Sequence, residues 1–491
     1  MTVATTALAA LTLIPQPHKV VEGEGVTTNL EIRAGVGAQF APGGHRIRVT
    51  GDGIVVFSSD PTGRYYAERT LDQLYNRDEK GRPVSCPCVE IEDGPRYAWR
   101  GLHFDDCRHF FGKVQVKKTL DLMARYKMNR FHWHLTDDQG WRIEIPSHPE
   151  LVRYGAVRSQ SVLPGVRASS GKVQNAEKLD GVAYGPYFYT EADVKEIIAY
   201  AAERHIVIVP EIEAPGHVQA VLAAHPEFAC EPANVADRDP RVVWGIAKDV
   251  LCVGNDAAVA YMEDVIDYVC RLFPGEVVHI GGDECPVVRW KTCPKCQARM
   301  KAEGLKDERA IQPWFTRRLV SFLAARGKRA IGWDEYLAGD VPVSAMGMCW
   351  RVSSHDKGRR FVTPAEHAAK GHDLVMSPVS HCYLDSAQEL KEDPFFYIGG
   401  HLPLEKCHSF DPCAGIPAEL RDRVLGGQGN NWSEYTWNRH DLEWKMWPRA
   451  CALAEVLWTG EHRPDFADFR ERMARERRWL IAHHMNCAPL E

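Results

Sequence analysis

From about residue 96 onward, short apolar runs alternate with segments whose apolar residues recur at helical spacing. The runs are RGLHFDD, RFHWHLTDD, HIVIVPEIE, EVVHIGGDE, RAIGWDE, SAMGMCW, HDLVMSP and RVLGGQGNNW. Each is short and apolar enough to be a strand buried on both faces. Most are separated by amphipathic segments: VQVKKTLDLMARYK, EADVKEIIAYAAER, AVAYMEDVIDYVCRLF, QPWFTRRLVSFLAARG and PAEHAAKG, with WKMWPRACALAEVLW after the last strand. Strands alternating with helices predict a parallel sheet. Eight of them predict an α/β fold, a (β/α)8 TIM barrel, enlarged by loop insertions beyond the roughly 250 residues of a plain one. DFADFRERMARERRWLIAHH is expected to pack outside it.

Residues 1–95 pattern differently. HRIRVT and GIVVFSS read as strands, and TGRYYAERTLDQLYN carries Tyr66, Leu71 and Leu74 at helical spacing. The chain therefore divides into a small α+β N-terminal domain, 1–95, and a barrel domain with C-terminal helices, 96–491. Insertions near 152–189 and 379–420 are rich in Gly, Pro, Ser and Tyr, as substrate-facing loops are.

Composition narrows the function. The net charge is -6, from 60 basic and 66 acidic residues, without a basic block suited to a nucleic-acid groove. The stretch ERMARERRW is expected to be a solvated helix face with local ion pairs. No run of about 18 apolar residues offers a membrane span, and MTVATTALAALTLIPQP lacks a positive leader. A cytoplasmic location is expected; a trimmed signal peptide would instead make the protein periplasmic or secreted. Fifteen cysteines, an odd number in a large chain, do not make a disulfide framework. Fourteen Trp and 16 Tyr suit sugar faces as well as core packing.

Barrel chemistry lies at the C-terminal ends of the strands. Those ends hold Asp105, Asp137, Asp138, Glu211, Glu213, Asp283, Glu284, Asp334 and Glu335, with Trp333, Trp350 and Trp432. One such acid could cap the following helix; acids at five strand ends, with aromatic or His neighbours, point to a polyol-binding cleft. In VVHIGGDECP, Asp283 and Glu284 are sequence neighbours. They cannot easily flank a glycosidic bond from opposite faces, as an acid and a protein nucleophile about 5 Å apart must. Gly281 and Gly282 would let the strand end bend and the ligand approach the backbone.

These residues resemble glycoside hydrolase family 20, the β-N-acetylhexosaminidases, from about residue 12 to 460. HIGGDE resembles that family's central signature, and RGLHFDDCRHF, FHWHLTDDQGWRIEI, VPEIEAPGH, IGWDE, CYLD, QGNNWSEYT and WPRACALAEVLW resemble its other blocks in order. The resemblance implies retaining hydrolysis in which the substrate's own 2-acetamido oxygen attacks, giving an oxazolinium-type intermediate. It implies that Asp283 holds the acetamido group and Glu284 is general acid, then base, with a pKa raised by its surroundings. Tyr383 would donate to the acetamido oxygen, and His217, oriented by Asp137, would form a relay beside Glu284. Arg100, Asp385 and Glu434 would bind sugar hydroxyls, and Trp333, Trp350 and Trp432 would wall the pocket. Glu213 stands where the family usually has Asp, so the side chain is one methylene longer.

The implied partner is a glycan or chitooligosaccharide, with no nucleic acid, no membrane and a homodimer allowed. A lacto-N-biosidase or a silent glycan-binding protein are the alternatives; a tight wall of loops near 379–412 would argue against the former. No cofactor and no metal are expected. His132 and His134 alternate along a strand, so one is expected inside the barrel and one outside, as satisfied core residues. Cys285, Cys293 and Cys296 include the knuckle spacing CPKC, but without a clear second Cys or His pair nearby a loop disulfide or free thiols are expected over zinc. DPFFYIGG is either a substrate lid or a packed insertion.

Overall fold

The computed structural model describes residues 11–36, 39–164, 178–352, 361–389, 395 and 397–490. In the N-terminal part, five strands lie in the order Lys19–Thr27, Pro83–Asp93, His45–Thr50, Gly53–Ser58 and Ile32–Ala34. His45–Thr50 alternates buried and more exposed positions, because successive side chains of a strand point to opposite faces. Its inward residues Ile47 and Val49 meet Ala67, Leu71 and Leu74 of the helix Pro61–Leu74. Asp60 caps that helix, accepting from the Gly63 amide at 2.7 Å.

The eight runs anticipated from the sequence form a closed parallel barrel: Trp99–Asp105, Arg130–His134, Val207–Glu211, Val277–His279, Arg329–Trp333, Met346–Cys349, Leu374–Met376 and Val424–Gly429. Asp105, His134, Glu211 and His279 share one register level across four neighbouring strands. Helices Gly112–Arg125, Glu191–Ala202, Asp256–Leu272, Ile311–Ala324 and Pro364–Ala369 cover the outside. WKMWPRACALAEVLW is not one helix. It divides into Arg439–Met446 and Arg449–Thr459 around Pro448, which has no amide hydrogen to continue the ladder.

The C-terminal helix Phe466–Ala482 packs outside the barrel, but its charged face is not wholly solvated. Buried Arg472 pairs with Glu455 at 2.7 Å. Glu476 pairs with Arg125 at 2.6 Å and accepts from the Tyr126 hydroxyl at 2.8 Å. Helical spacing alone does not reveal that this face meets partners from other helices.

The N-terminal unit docks on the bottom of the barrel through a buried charge. Asp93 accepts from Lys127 Nζ and from Trp458 Nε1, both at 2.8 Å. Burial alone would raise its pKa, but the Lys127 ammonium holds it below the usual carboxylate value.

Candidate active site

The barrel strands deliver their acids to one mouth, and a cavity of about 570 Å³ opens there. Its lining includes His217, Asp283 and Glu284; Trp333, Trp350 and Trp432; and Tyr383, Asp385 and Glu434. Nine of the eleven residues expected at the site from the sequence therefore face one space. Asp137 stands just behind it, 1 % exposed. Arg100 does not reach it.

Arg100 lies at the N-terminal end of the strand Trp99–Asp105, on the opposite side of the barrel. It is buried and donates to Lys127 O at 2.8 Å, Tyr97 O at 2.7 Å and Tyr66 Oη at 2.7 Å. The arginine in the cavity is Arg108, just past the C-terminal end of the same strand. It pairs with Asp137 at 2.8 Å and Asp105 at 3.1 Å, and lies 3.9 Å from Glu434. Its guanidinium stands 5.0 Å over the Trp432 ring. The sequence signal was position: only the arginine of CRHF follows the strand's C-terminal end.

Below the cavity the barrel core is polar. His132 and His134 both point inward, since residues two apart on a strand share a face. The expectation that they diverge is corrected accordingly. Glu211 sits among them, 3.1 Å from His132 and 2.8 Å from His279, accepting from Trp333 Nε1 at 2.8 Å and contacting His134. Burial would lower the pKa of His134, but Glu211 and Asp137 raise it to about 10, so it is an imidazolium. Burial dominates at His132 and lowers it to about 4.

A chain of charge runs upward from there. His134 Nε2 meets Asp137 at 2.8 Å. His217 Nδ1 lies 3.4 Å from Asp137 and 3.3 Å from Asp138, so two carboxylates orient it. His217 Nε2 then lies 3.7 Å from both Asp283 and Glu284. Burial opposes a charged His217, yet Asp137 and Asp283 raise its pKa well above that of free histidine. Burial pushes Asp283 up to about 6, with His217 opposing and Glu284 adding to the rise. The Glu284 side chain is the most open of the group, at 37 % exposure.

The backbone at these residues is strained. His217 has φ +50° and Glu284 φ +44°, values that cost a residue with Cβ about 1–2 kcal/mol. Such conformations persist where the surroundings impose them and where function uses them. Gly281, at φ +61°, also bends the strand end, but what it admits is Glu213 and not ligand. A Cβ there would stand 1.7 Å from Glu213 Oε2. The longer Glu213 thus lies beneath the turn that carries Asp283 and Glu284, its two oxygens buried without a hydrogen-bond partner. Burial, then Asp283 and Glu211, raise its pKa well above the usual carboxylate value.

The remaining wall is aromatic. Trp333 and Trp432 stand 5.5 Å apart, and Trp350 lies 6.1 Å from Tyr383 with the rings inclined by 23°. Tyr383 and Trp432 both line the cavity, where the Tyr383 hydroxyl can donate to a ligand. Asp385 Oδ1 and Asp283 Oδ1 are buried without a hydrogen-bond partner. Burial and the nearby Glu434 push Asp385 up to about 7. Buried acceptors without donors, facing a cavity, suit a ligand that brings hydroxyl or amide hydrogens. Segments Val379–Ser380 and Ile398–Leu402 close the cavity's side. Of DPFFYIGG, residues 393, 394 and 396 lie outside the described residues, while Ile398, Gly399 and Gly400 line the cavity.

Comparison with known proteins agrees with this geometry. The family model "Glycosyl hydrolase family 20, catalytic domain" matches residues 97–461, and "Glycosyl hydrolase family 20, domain 2" matches residues 4–94. A beta-hexosaminidase of Porphyromonas gingivalis is 40% identical over 437 residues, covering 88% of this chain and 52% of its own. One from Akkermansia muciniphila is 32% identical over 480 residues, covering 97% of this chain and 91% of its own. The chain thus spans about half of the first relative and nearly all of the second. The structure of an exo beta-N-acetylglucosaminidase from Vibrio harveyi, in complex with N-acetylglucosamine, superposes with a TM-score of 0.83 at 26% identity, covering 100% of this chain and 80% of that one.

Proposed function

Since the chain belongs to glycosyl hydrolase family 20, we propose that it is an exo-acting β-N-acetylhexosaminidase releasing terminal β-linked GlcNAc or GalNAc from glycans or chitooligosaccharides. The observation that carries this is the Asp283–Glu284 pair, two adjacent acids addressed together by His217 Nε2. Adjacent residues sit about 3.8 Å apart along the backbone, so both act from one side of the sugar. The nucleophile on the other side is then the substrate's own acetamido oxygen.

Asp283 accepts the acetamido N–H and stabilises the positive charge that develops on the closing ring. The Tyr383 hydroxyl, which faces the cavity, donates to the acetamido oxygen and aims it at C1. Glu284, the most accessible acid, protonates the departing oxygen, then takes a proton from the water that opens the intermediate. Arg108, Asp385 and Glu434 meet the sugar hydroxyls, and the three tryptophans take its apolar faces and the acetamido methyl. The Val379–Ser380 and Ile398–Leu402 wall favours a single terminal sugar over a lacto-N-biosidase pocket. The intact acid pair disfavours a silent binding protein.

A pair of aryl glycosides tests the proposal. p-Nitrophenyl β-GlcNAc should be hydrolysed with retention, and p-nitrophenyl β-glucoside, which lacks the acetamido arm, at least about 10³-fold more slowly in kcat/KM. Comparable rates on the two would rule out substrate assistance.

A further inference from the structure

ECPVVRWKTCPKC leads from the catalytic turn to a second cluster that hydrolysis does not use. Cys293 and Cys296, around the start of the helix Pro294–Ala302, meet two cysteines that are remote in sequence. Cys252 precedes the helix Asp256–Leu272, and Cys230 follows the turn Pro226–Phe228. All four sulfurs lie within 4.8 Å of one another. Their contacts are 3.5 Å for Cys252–Cys293, 3.7 Å for Cys230–Cys296 and 3.8 Å for Cys252–Cys296.

These distances fit four thiolates around a single metal ion. A disulfide needs about 2.05 Å, so the sulfurs are four separate thiols. Sulfurs each about 2.3 Å from one tetrahedral ion stand about 3.8 Å from each other, which is the spacing seen. A cluster of several irons would hold its cysteines farther apart, because irons and sulfides lie between them. Four soft thiolates in a tetrahedron, two from a C-x-x-C knuckle, suit zinc, with a single iron as the alternative that metal analysis separates. Cys252, Cys293 and Cys296 are buried, and Cys230 is half-buried.

The chain passes close by the knuckle: a Cβ on Gly254 would stand 2.2 Å from the Lys295 carbonyl carbon and 2.3 Å from the Cys296 amide nitrogen, so only glycine lets the Cys252 segment approach CPKC this closely.

We propose that Cys230, Cys252, Cys293 and Cys296 bind one structural Zn²⁺ ion. The proposal replaces the expectation of a loop disulfide or free thiols; CPKC looked unpaired because its partners lie 41 and 66 residues upstream. Four protein ligands close the coordination sphere, so the ion has no place for substrate and its part is to cross-link. It ties the long connection after the strand Val207–Glu211, which holds both Cys230 and Cys252, to a segment beginning nine residues past Glu284. The same segment is held by Trp290, whose indole donates to Leu251 O at 3.0 Å, and by Arg289, 2.8 Å from Asp249. Zinc thereby fixes the far end of the strained turn that carries Asp283 and Glu284.

The test uses the full chain, purified reduced, without chelator, from zinc-supplemented culture. Elemental analysis should find about one zinc per chain. A mercurial thiol reagent should release it in step with modification of about four cysteines, with a fall in melting temperature. Reconstitution with Co²⁺ should give thiolate charge-transfer bands and the visible bands of a tetrahedral site, and Cys293→Ser with Cys296→Ser should abolish both. If that variant does not fold, Cys230→Ser, at the most exposed ligand, should still weaken zinc retention by at least about tenfold. Reduced wild-type protein that holds no zinc and gives no cobalt spectrum overturns the proposal. Stoichiometric iron, or a disulfide among the four in freshly purified protein, overturns it as well.

Discussion

The two ends of the barrel bury carboxylates in opposite ways. At the bottom, Asp93 is met by Lys127 and Trp458, and its pKa is lowered. At the mouth, Asp283 and Asp385 each keep an oxygen without a donor, and burial raises them to about 6 and 7. A buried charge that is fully paired serves the fold. One left unpaired costs stability, and persists because something outside the chain completes it.

The largest effect expected from breaking this contrast is at the mouth. Glu284→Gln should lower kcat on substrates with poor leaving groups about 10³–10⁴-fold and on activated aryl glycosides much less. Asp283→Asn should lower kcat about 10²–10³-fold whatever the leaving group, because it fails to hold the attacking group. Steady-state kinetics on an alkyl and an aryl GlcNAc glycoside separates the two. Equal sensitivity of both variants to the leaving group would contradict the assigned roles.

Next in size is the bottom. Lys127→Met leaves Asp93 buried and unpaired and should cost about 3–5 kcal/mol in chemical denaturation, while kcat per folded molecule stays unchanged. The two ends should also respond oppositely to pH. Asp93 is depressed in the folded state, so its stabilisation is present above the unfolded carboxylate value and lost as pH falls through the lower folded one. Asp385 is raised, so its penalty is absent below about pH 4 and grows as pH rises to about 7. Asp385→Asn should therefore stabilise the protein by roughly 2–4 kcal/mol at pH 8, by little at pH 4, and raise KM. Stabilisation independent of pH would show that Asp385 is not a buried, raised acid.

The smallest effect concerns the relay. His217 favours ionised Asp283, so His217→Gln should move the acid limb of kcat/KM from near pH 6 upward by about one unit. An unmoved limb would detach His217 from Asp283.

All eight barrel strands were legible because each is a short apolar run set between helical segments, and five of them end in acids, a pattern that burial and barrel chemistry impose together. Asp137, Asp283, Glu284, Trp333, Trp350 and Trp432 were legible for the same reason, at or just past strand ends; His217, Tyr383, Asp385 and Glu434 lie farther along the loops and came only from the motifs' resemblance to the family. Arg100 was misplaced because a motif names a strand without saying which of its ends holds chemistry; Arg108, past the C-terminal end, fills that place. The Cys230–Cys252–Cys293–Cys296 cluster was invisible because folding, not spacing, brings two remote cysteines to CPKC. The His132 and His134 pair was misread through period, since two residues apart on a strand means one face and not two.

The most direct test of an attacking acetamido group is to weaken it. Hydrolysis of p-nitrophenyl β-glycosides carrying N-acetyl, N-fluoroacetyl, N-difluoroacetyl and N-trifluoroacetyl groups should slow steeply with each fluorine, as the carbonyl oxygen loses nucleophilicity. A flat series would mean that the protein, and not the substrate, supplies the nucleophile opposite Asp283 and Glu284.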